Sequence, residues 1–333
     1  MKKIGWALVG ASTVAREWMI GAIRAQDNAE IVAVVSRDAQ RGAQFAQEFG
    51  IGASFTELDA ALAHPGVDAV YISTTNEVHM AQTVAAARAG KHVLCEKPLA
   101  LNLDDARAML AACEQAGVVL GINHHLRNAA THRKMRDMLR EGAIGKPLYC
   151  RVLHANFLPQ HLRGWRLDSP QAGGVTLDMF VHDADTLRFV LDAEPQHVIA
   201  CASSGDMAVA GLEDGLMATI QFDNGVLAQV HDAFNARYSL AGLEIIGTEG
   251  TIFARDVMTQ RPVGTIQLTN ADGVADVPVA HENLYVRSVG AFQAAVRGEG
   301  RPAATGEDGL RALAAALAVQ QSCRTGMRVA VAA

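Results

Sequence analysis

The first 125 residues alternate short apolar runs with helical stretches, and few folds accept that alternation. Ile4–Val9 is an apolar run. The turn Gly10-Ala11-Ser12-Thr13-Val14-Ala15 follows. Residues 16–25 carry Trp18, Ala22 and Ala25 at helical spacing, and residues 30–36 form a second apolar run. The pattern continues with helices over 40–49 and 55–63, a strand over 67–73, a helix over 77–89 and a strand over 91–95. A helix over 103–116, capped by Asn102, and a strand over 118–122 complete it. This order predicts a parallel doubly wound sheet, whose ligands sit at the carboxyl ends of the strands. Those ends are Gly10, Ser36, Ser73-Thr74-Thr75-Asn76, Glu96-Lys97 and Asn123.

Strand, turn, helix and strand within about 30 residues is the frame of a dinucleotide-binding unit. The turn reads G-x-S-x-x-A where the usual fingerprint is G-x-G-x-x-G/A. Gly10 supplies the tight bend, and Ala15 is small enough for close helix–strand packing. Ser12 departs from the second glycine, but it is small and carries a hydroxyl able to bond a phosphate. The helix start then offers unpaired backbone N–H groups to a pyrophosphate. After the second strand, an NAD-preferring site carries an acid; here the chain reads Ser36-Arg37, with Arg41 one helical turn further on. Arginine near the ribose 2′ position accommodates a 2′-phosphate, so NADPH is the expected cofactor. Asp38 is the competing group, one short backbone shift from the ribose. Ser73, Thr74, Thr75, Asn76 and His79 are further expected cofactor contacts.

Lys97 sits between a strand and Pro98. Proline biases the residue before it away from helix and cannot continue a central strand. A lysine is thereby parked on the ligand edge beside Glu96, where it is able to move a proton to or from a substrate oxygen.

Beyond a helix over 127–141 the texture changes. Strand-like runs at 148–157, 198–203, 216–222, 226–233, 243–246, 251–254, 265–268 and 275–279 are joined by turn signals such as Asp223-Asn224-Gly225, which suggests one large antiparallel sheet. Two helices, 284–297 and 308–325, close the chain, and the second is expected to return to the first domain. The expected division is therefore a Rossmann domain over 1–125 and an α+β domain over 126–333. Within this second region, Gly173-Gly174 precedes a helical segment. Asp178 and His182 lie four apart on it, an arrangement suited to acid–base work. The same spacing also fits a capping acid beside a core histidine. Trp165 and Arg166, on an expected loop, are candidates for stacking on a sugar or cofactor ring and for binding hydroxyls. Tyr285 is a weaker candidate at the start of the penultimate helix.

Composition narrows the classes. Lysine plus arginine number 29 against 35 acidic residues, without a basic block, which argues against a nucleic-acid partner. The five cysteines, Cys95, Cys113, Cys150, Cys201 and Cys323, are scattered and never in C-x-x-C spacing, as expected of reduced thiols in a cytoplasmic protein. No apolar run approaches a membrane span, and the short one after Lys2-Lys3 is not expected to be a secretion signal. Among 12 histidines no H-E-x-x-H or facial-triad spacing occurs, so no metal is expected. Whether the chain is a monomer or a homo-oligomer is left open, although an uncovered sheet face invites pairing.

Taken together, the Gly10–Ala15 turn, Cys95-Glu96-Lys97-Pro98 and the Gly-Gly…Asp178-x-x-x-His182 segment resemble the glucose–fructose oxidoreductase/inositol dehydrogenase family over essentially the whole chain. The resemblance implies a dinucleotide-dependent oxidoreductase acting on sugars, Lys97 and His182 as acid–base residues with Asp178 beside them, and a cis Lys97–Pro98 peptide. Lys97, Trp165, Asp178 and His182 are the implied substrate contacts; Trp165, Arg166 and Tyr285 join the cofactor set. Within the family, Gly10–Trp18, Asn123–Asn128 and Val181–Val190 are most similar to its bacterial reductases of 1,5-anhydro-D-fructose, Ser12 included. That implies NADPH-dependent reduction of the 2-keto group to give 1,5-anhydro-D-mannitol. Two alternatives remain: an NAD(P)-dependent polyol or hexose dehydrogenase of the same family, and a non-catalytic sugar- or nucleotide-sensing module.

Overall fold

The computed structural model describes residues 3–205, 207–209 and 211–332. The chain divides into two compact units, one of residues up to 125 with 285–310, the other of 126–284 with 311 onward.

The first unit is built on a six-stranded sheet: β1 Ile4–Val9, β2 Ala29–Val35, β3 Ala53–Phe55, β4 Ala69–Ile72, β5 His92–Cys95 and β6 Leu120–Ile122. Its order is β3-β2-β1-β4-β5-β6, and every pairing is parallel. That is the doubly wound order whose reversal, between β1 and β4, marks the ligand crevice. All six residues of β1 and all four of β4 are buried, as expected for central parallel strands covered on both faces. The connecting helices are α1 Ile20–Arg24, α2 Ala39–Phe49, α3 Leu58–Leu62, α4 His79–Arg88 and α5 Leu103–Ala116. Local chemistry sets their ends. Asp38 accepts the N–H of Arg41 at 3.0 Å to start α2, and Asn102 accepts that of Asp105 at 2.8 Å to start α5. Gly50 and Gly117 close the same helices in the left-handed conformation.

Two details depart from the sequence reading. The strand β3 occupies residues assigned to loop and helix, because three half-covered residues at a sheet edge carry almost no periodic signal. The helix after the turn 10–15 opens as a wide π-type turn, Ala15–Met19, before α1.

The second unit begins with α6 Ala130–Arg140, β7 Pro147–Ala155, a single helical turn α7 Trp165–Asp168, and α8 Val181–Leu191. The strands β8 Pro195–Ser203, β9 Gly215–Phe222, β10 Leu227–Ala233, β11 Ala241–Gly247, β12 Gly250–Arg255, β13 Thr265–Asn270 and β14 Gly273–Val277 follow. With β7 and the terminal β15 Val329–Ala330 they make nine strands ordered β14-β13-β12-β11-β7-β10-β9-β8-β15. All pairings are antiparallel except β7 with β10, which is parallel and matches His154 to Asp232. Strands such as β9 alternate buried and exposed residues, the mark of a sheet with one covered face. The buried side includes Val152, Val230 and Ile245, while Tyr149, Ile199, Met217 and Leu227 are exposed.

The last two helices are α9 Leu284–Val296 and α10 Gly306–Thr325. Residues 285–310, and so nearly all of α9, cluster with the first unit. Trp6 of β1 packs on Phe292 at 5.3 Å, and Gln26 donates to Val286 O at 2.9 Å. The return expected of the final helix is therefore made chiefly by the one before it. No helix among the described residues is long and apolar enough to cross a membrane.

Candidate active site

The first unit gathers its candidates on the carboxyl edge of the sheet. Gly10 lies at φ +109°, and a Cβ there would stand 3.0 Å from Ser73 O and 3.3 Å from Thr74 Cγ2. Only glycine allows β1 to turn so tightly against the end of β4. Ser12 uses its hydroxyl inside the turn: Oγ accepts the N–H of Ala15 at 3.1 Å and pairs with Ser73 Oγ at 2.7 Å. The hydroxyl thus helps to hold the turn, and the backbone N–H groups of the helix start lie beside it. Thr13 is exposed, Val14 half-buried, and Ala11 and Ala15 buried.

Arg41 donates from its guanidinium to Ala11 O, which brings the cation onto the turn itself. Asp38, the competing candidate for the ribose, caps α2 instead. Ser36 is half-buried and Arg37 exposed nearby. A tight glycine turn followed by a helix start fits the pyrophosphate of a dinucleotide.

On the next turn the Lys97–Pro98 peptide is cis, and Lys97 is half-buried. Glu96 beside it is buried. Its Oε1 accepts from Tyr71 Oη at 2.5 Å and from Asn123 Nδ2 at 2.6 Å. Burial pushes the Glu96 carboxyl up from its usual range, and these two hydrogen bonds with the Lys97 charge pull against that shift. Asn123 is held in turn by Ser288 of α9, whose Oγ donates to Asn123 Oδ1 at 3.1 Å. His79 touches two carbonyls, with Nδ1 3.0 Å from Pro98 O and Nε2 3.3 Å from Thr74 O. Burial pushes its pKa down. Thr74 donates to Gln82 Oε1 at 2.6 Å. Thr74 and Thr75 are half-buried, and Ser73 and Asn76 are buried.

Three of the expected cofactor contacts are buried. His79 and Asn123 are 0 % exposed and Tyr285 is 1 %. The first two brace the Lys97 turn and Glu96 from behind. Tyr285 is stacked between Trp18, at 5.4 Å, and His125, at 5.2 Å. Nothing in the sequence assigns Tyr71, Ser288, Trp18 or His125 a part in supporting this edge. Their link to the edge comes from residues far apart in the chain, and no local spacing announces it.

In the second unit, Trp165 and Arg166 lie on the helical turn α7 rather than on a loop, both half-buried. Arg166 Nε donates to Asp178 Oδ2 at 3.0 Å, and its guanidinium lies 4.6 Å from the Trp165 ring. The double glycine explains how this turn reaches the helix start. A Cβ on Gly173 would come within 2.7–2.8 Å of three carbonyl oxygens, those of Trp165, Arg166 and Ser169. Gly174 N–H bonds Arg166 O at 2.9 Å. Asp178 belongs to a π-type turn, Thr176–Phe180, that runs into α8. The i,i+4 face expected of Asp178 and His182 thus starts on a wider turn than an α-helix. His182 is 7 % exposed, and Asp178 is half-buried.

Charge is buried along α8 to an extent the sequence did not suggest. Arg127 makes a two-pronged pair with Asp185, both contacts at 2.7 Å, and Arg188 does the same with Glu194 at 2.6 and 2.7 Å. Asp185 is 1 % exposed.

Each unit contains a match to a known domain family. Residues 4–124 match the model of an oxidoreductase family with an NAD-binding Rossmann fold, and residues 132–253 match the GFO/IDH/MocA C-terminal domain. The chain is 56 % identical over 322 residues to a 1,5-anhydro-D-fructose reductase of Ensifer adhaerens, spanning 96 % of each chain. It is 28 % identical to a myo-inositol 2-dehydrogenase of Thermotoga maritima over 91 % of this chain and 93 % of that one. Among solved structures, an aldose–aldose oxidoreductase of Caulobacter crescentus aligns with a TM-score of 0.91 at 25 % identity, over 99 % of this chain and 100 % of the other. Rossmann edge, Glu-Lys-Pro turn, carboxylate–histidine helix and both family models converge: the chain is an oxidoreductase of the GFO/IDH/MocA family, with a nicotinamide-dinucleotide-binding domain at its N-terminus.

Proposed function

We propose that this enzyme reduces 1,5-anhydro-D-fructose to 1,5-anhydro-D-mannitol with NADPH, in the cytoplasm. The single observation that carries the substrate is the 56 % identity, along 96 % of both chains, with the Ensifer adhaerens reductase. The cofactor preference rests on Arg41, bonded to Ala11 O on the phosphate turn, and on Asp38, engaged as a helix cap. The buried free thiols of Cys95, Cys113 and Cys150, whose pKa values burial pushes up, suit a reducing compartment.

The chain's own residues divide the work. The backbone of the turn 10–15 binds the pyrophosphate, and Ser36, Arg37 and Arg41 bind the 2′-phosphate. Ser73, Thr74, Thr75, Asn76 and Glu96 shape the edge that orients the nicotinamide. The dinucleotide, when bound, supplies the hydride. Lys97 and His182 take the acid–base roles: one gives a proton to the developing alkoxide, and the other polarises the ketone. Asp178, fixed by Arg166, sets the electrostatics beside His182, and Trp165 offers an apolar ring surface for the sugar.

Incubation with NADPH carrying deuterium at both hydrogen positions of the nicotinamide C4 tests the reading. The expected product is 1,5-anhydro-D-mannitol carrying deuterium at C2. Unlabelled product, the glucitol epimer, or no product would overturn it.

A further inference from the structure

One buried cluster is used by none of these roles. His154 on β7, Asp232 on β10 and Asp183 on α8 bring their ligand atoms within 4.8 Å of one another. His154 and Asp232 are register partners across the parallel β7–β10 pair, so both side chains leave the same face of the sheet. Asp183 meets them from α8. Both aspartates are 0 % exposed. His154 Nδ1 lies 2.8 Å from Asp183 Oδ1. The other carboxyl oxygens, Asp183 Oδ2 and both of Asp232, have no donor among the described residues, although the two carboxyls are hydrogen-bonding neighbours.

Two carboxylates in that contact repel unless something lies between them. One proton removes the conflict. As a neutral acid Asp232 donates to Asp183 Oδ2, while Asp183 Oδ1 accepts the N–H of His154. The shared proton leaves one negative charge across the two carboxyls, and His154 Nδ1 faces it. Asp185 is taken by Arg127, and His132 of α6 is held neutral, its pKa pushed down to about 4 by burial.

We propose that Asp183 and Asp232 share one proton, and that the chain His154–Asp183–Asp232 is a positioning device locking the start of α8, and hence His182, onto the sheet. The positioning role rests on the function proposed for His182; the shared proton does not. Burial pushes both carboxyls upward, Asp232 the more because the Asp183 charge adds to it.

The test begins with infrared spectroscopy of the purified enzyme at pH 8, with and without ¹³C-labelled aspartate. A carbonyl stretch of a protonated aspartic acid that shifts with the label is expected, and it should vanish in Asp232→Asn. Absence of that band in the parent protein overturns the proposal. So does a stoichiometric divalent cation whose removal by chelation releases two carboxylates. The variants give the second readout. Asn at 232 mimics the neutral acid, so Asp232→Asn should melt close to the parent while Asp232→Ala melts several degrees lower. Asp183→Asn, which loses one of two acceptor roles, should lower kcat about tenfold with the KM for NADPH unchanged. Equal loss of melting temperature in Asp232→Asn and Asp232→Ala overturns the shared proton. A normal kcat in Asp183→Asn, with the band intact, overturns only the positioning role. If the parent fails to reduce the sugar, the function proposed above falls, and the band still decides the shared proton.

Discussion

The two units bury charge in opposite ways. At the sheet edge of the first unit, one carboxylate, Glu96, is cushioned by neutral donors, the Tyr71 hydroxyl and the Asn123 amide. Around α8 in the second, charge meets charge: Arg127 grips Asp185 and Arg188 grips Glu194. Neutral donors can lose their acceptor and strand only a dipole. An ion pair that loses one member strands a full charge in a low dielectric. The first arrangement leaves Lys97 beside a carboxylate that is held but not neutralised. The second makes α8 a rigid platform for His182, and an intolerant one.

Activity should break first. Lys97→Ala and His182→Ala are expected to lower kcat by about 10²–10⁴ while NADPH affinity, measured by fluorescence titration, stays nearly constant. A variant with near-parent kcat leaves the mechanism.

Stability probes the contrast itself. Asp185→Ala strands the Arg127 guanidinium and should cost about 3–5 kcal/mol in urea unfolding of the second unit. Glu96→Ala strands one hydroxyl and one amide and should cost about 1–3 kcal/mol in the first. Equal costs would erase the difference between the two units.

A third probe is pH. His132 donates from Nδ1 to Leu126 O at 2.9 Å, and its buried Nε2 has no partner among the described residues. Its folded pKa, about 4, lies below the usual 6.5. The unfolded chain therefore binds a proton that the folded chain refuses. The stabilisation is complete above pH 6.5 and is lost as pH falls through 4, by up to about 3 kcal/mol. His132→Gln should flatten that part of the stability profile. An unchanged acid limb would remove His132 as its source.

The smallest expected effect concerns the cofactor. Arg41→Ala should raise the KM for NADPH about tenfold and leave that for NADH alone, the loss of one charge-assisted phosphate contact. Parallel changes for both cofactors would mean that Arg41 serves the turn, through Ala11 O, and not the phosphate.

The same contrast explains what was legible in the sequence. The first unit is written locally. Each of its longer strands is a continuous apolar run, helices such as α2 and α5 carry their own caps, and Glu96, Lys97 and Pro98 adjoin at one strand end. The parallel sheet and its ligand edge followed from order alone. The second unit wrote its sheet legibly, through alternation and turn residues, but not its α8 network. Val181–Leu191 carries His182, Asp183, Asp185 and Arg188, which have the composition of a solvated face, yet all four are buried. Their partners lie far off in the chain, Arg127 58 residues from Asp185 and His154 29 from Asp183. Periodicity is blind to such pairs. It was blind also to β3 and β15, whose lengths of three and two residues give no period to detect. Even in the first unit, the bracing of Asn123 by Ser288 came from α9, near the other end of the chain.

The most direct test follows nicotinamide absorbance with 1,5-anhydro-D-fructose, offering NADPH and NADH in parallel. Rapid oxidation of NADPH is expected, with a kcat/KM well above that for NADH. Turnover of inositol or a hexose with NAD⁺, and none of the anhydro-ketose with either reduced cofactor, would contradict the proposed function while leaving the family and the fold in place.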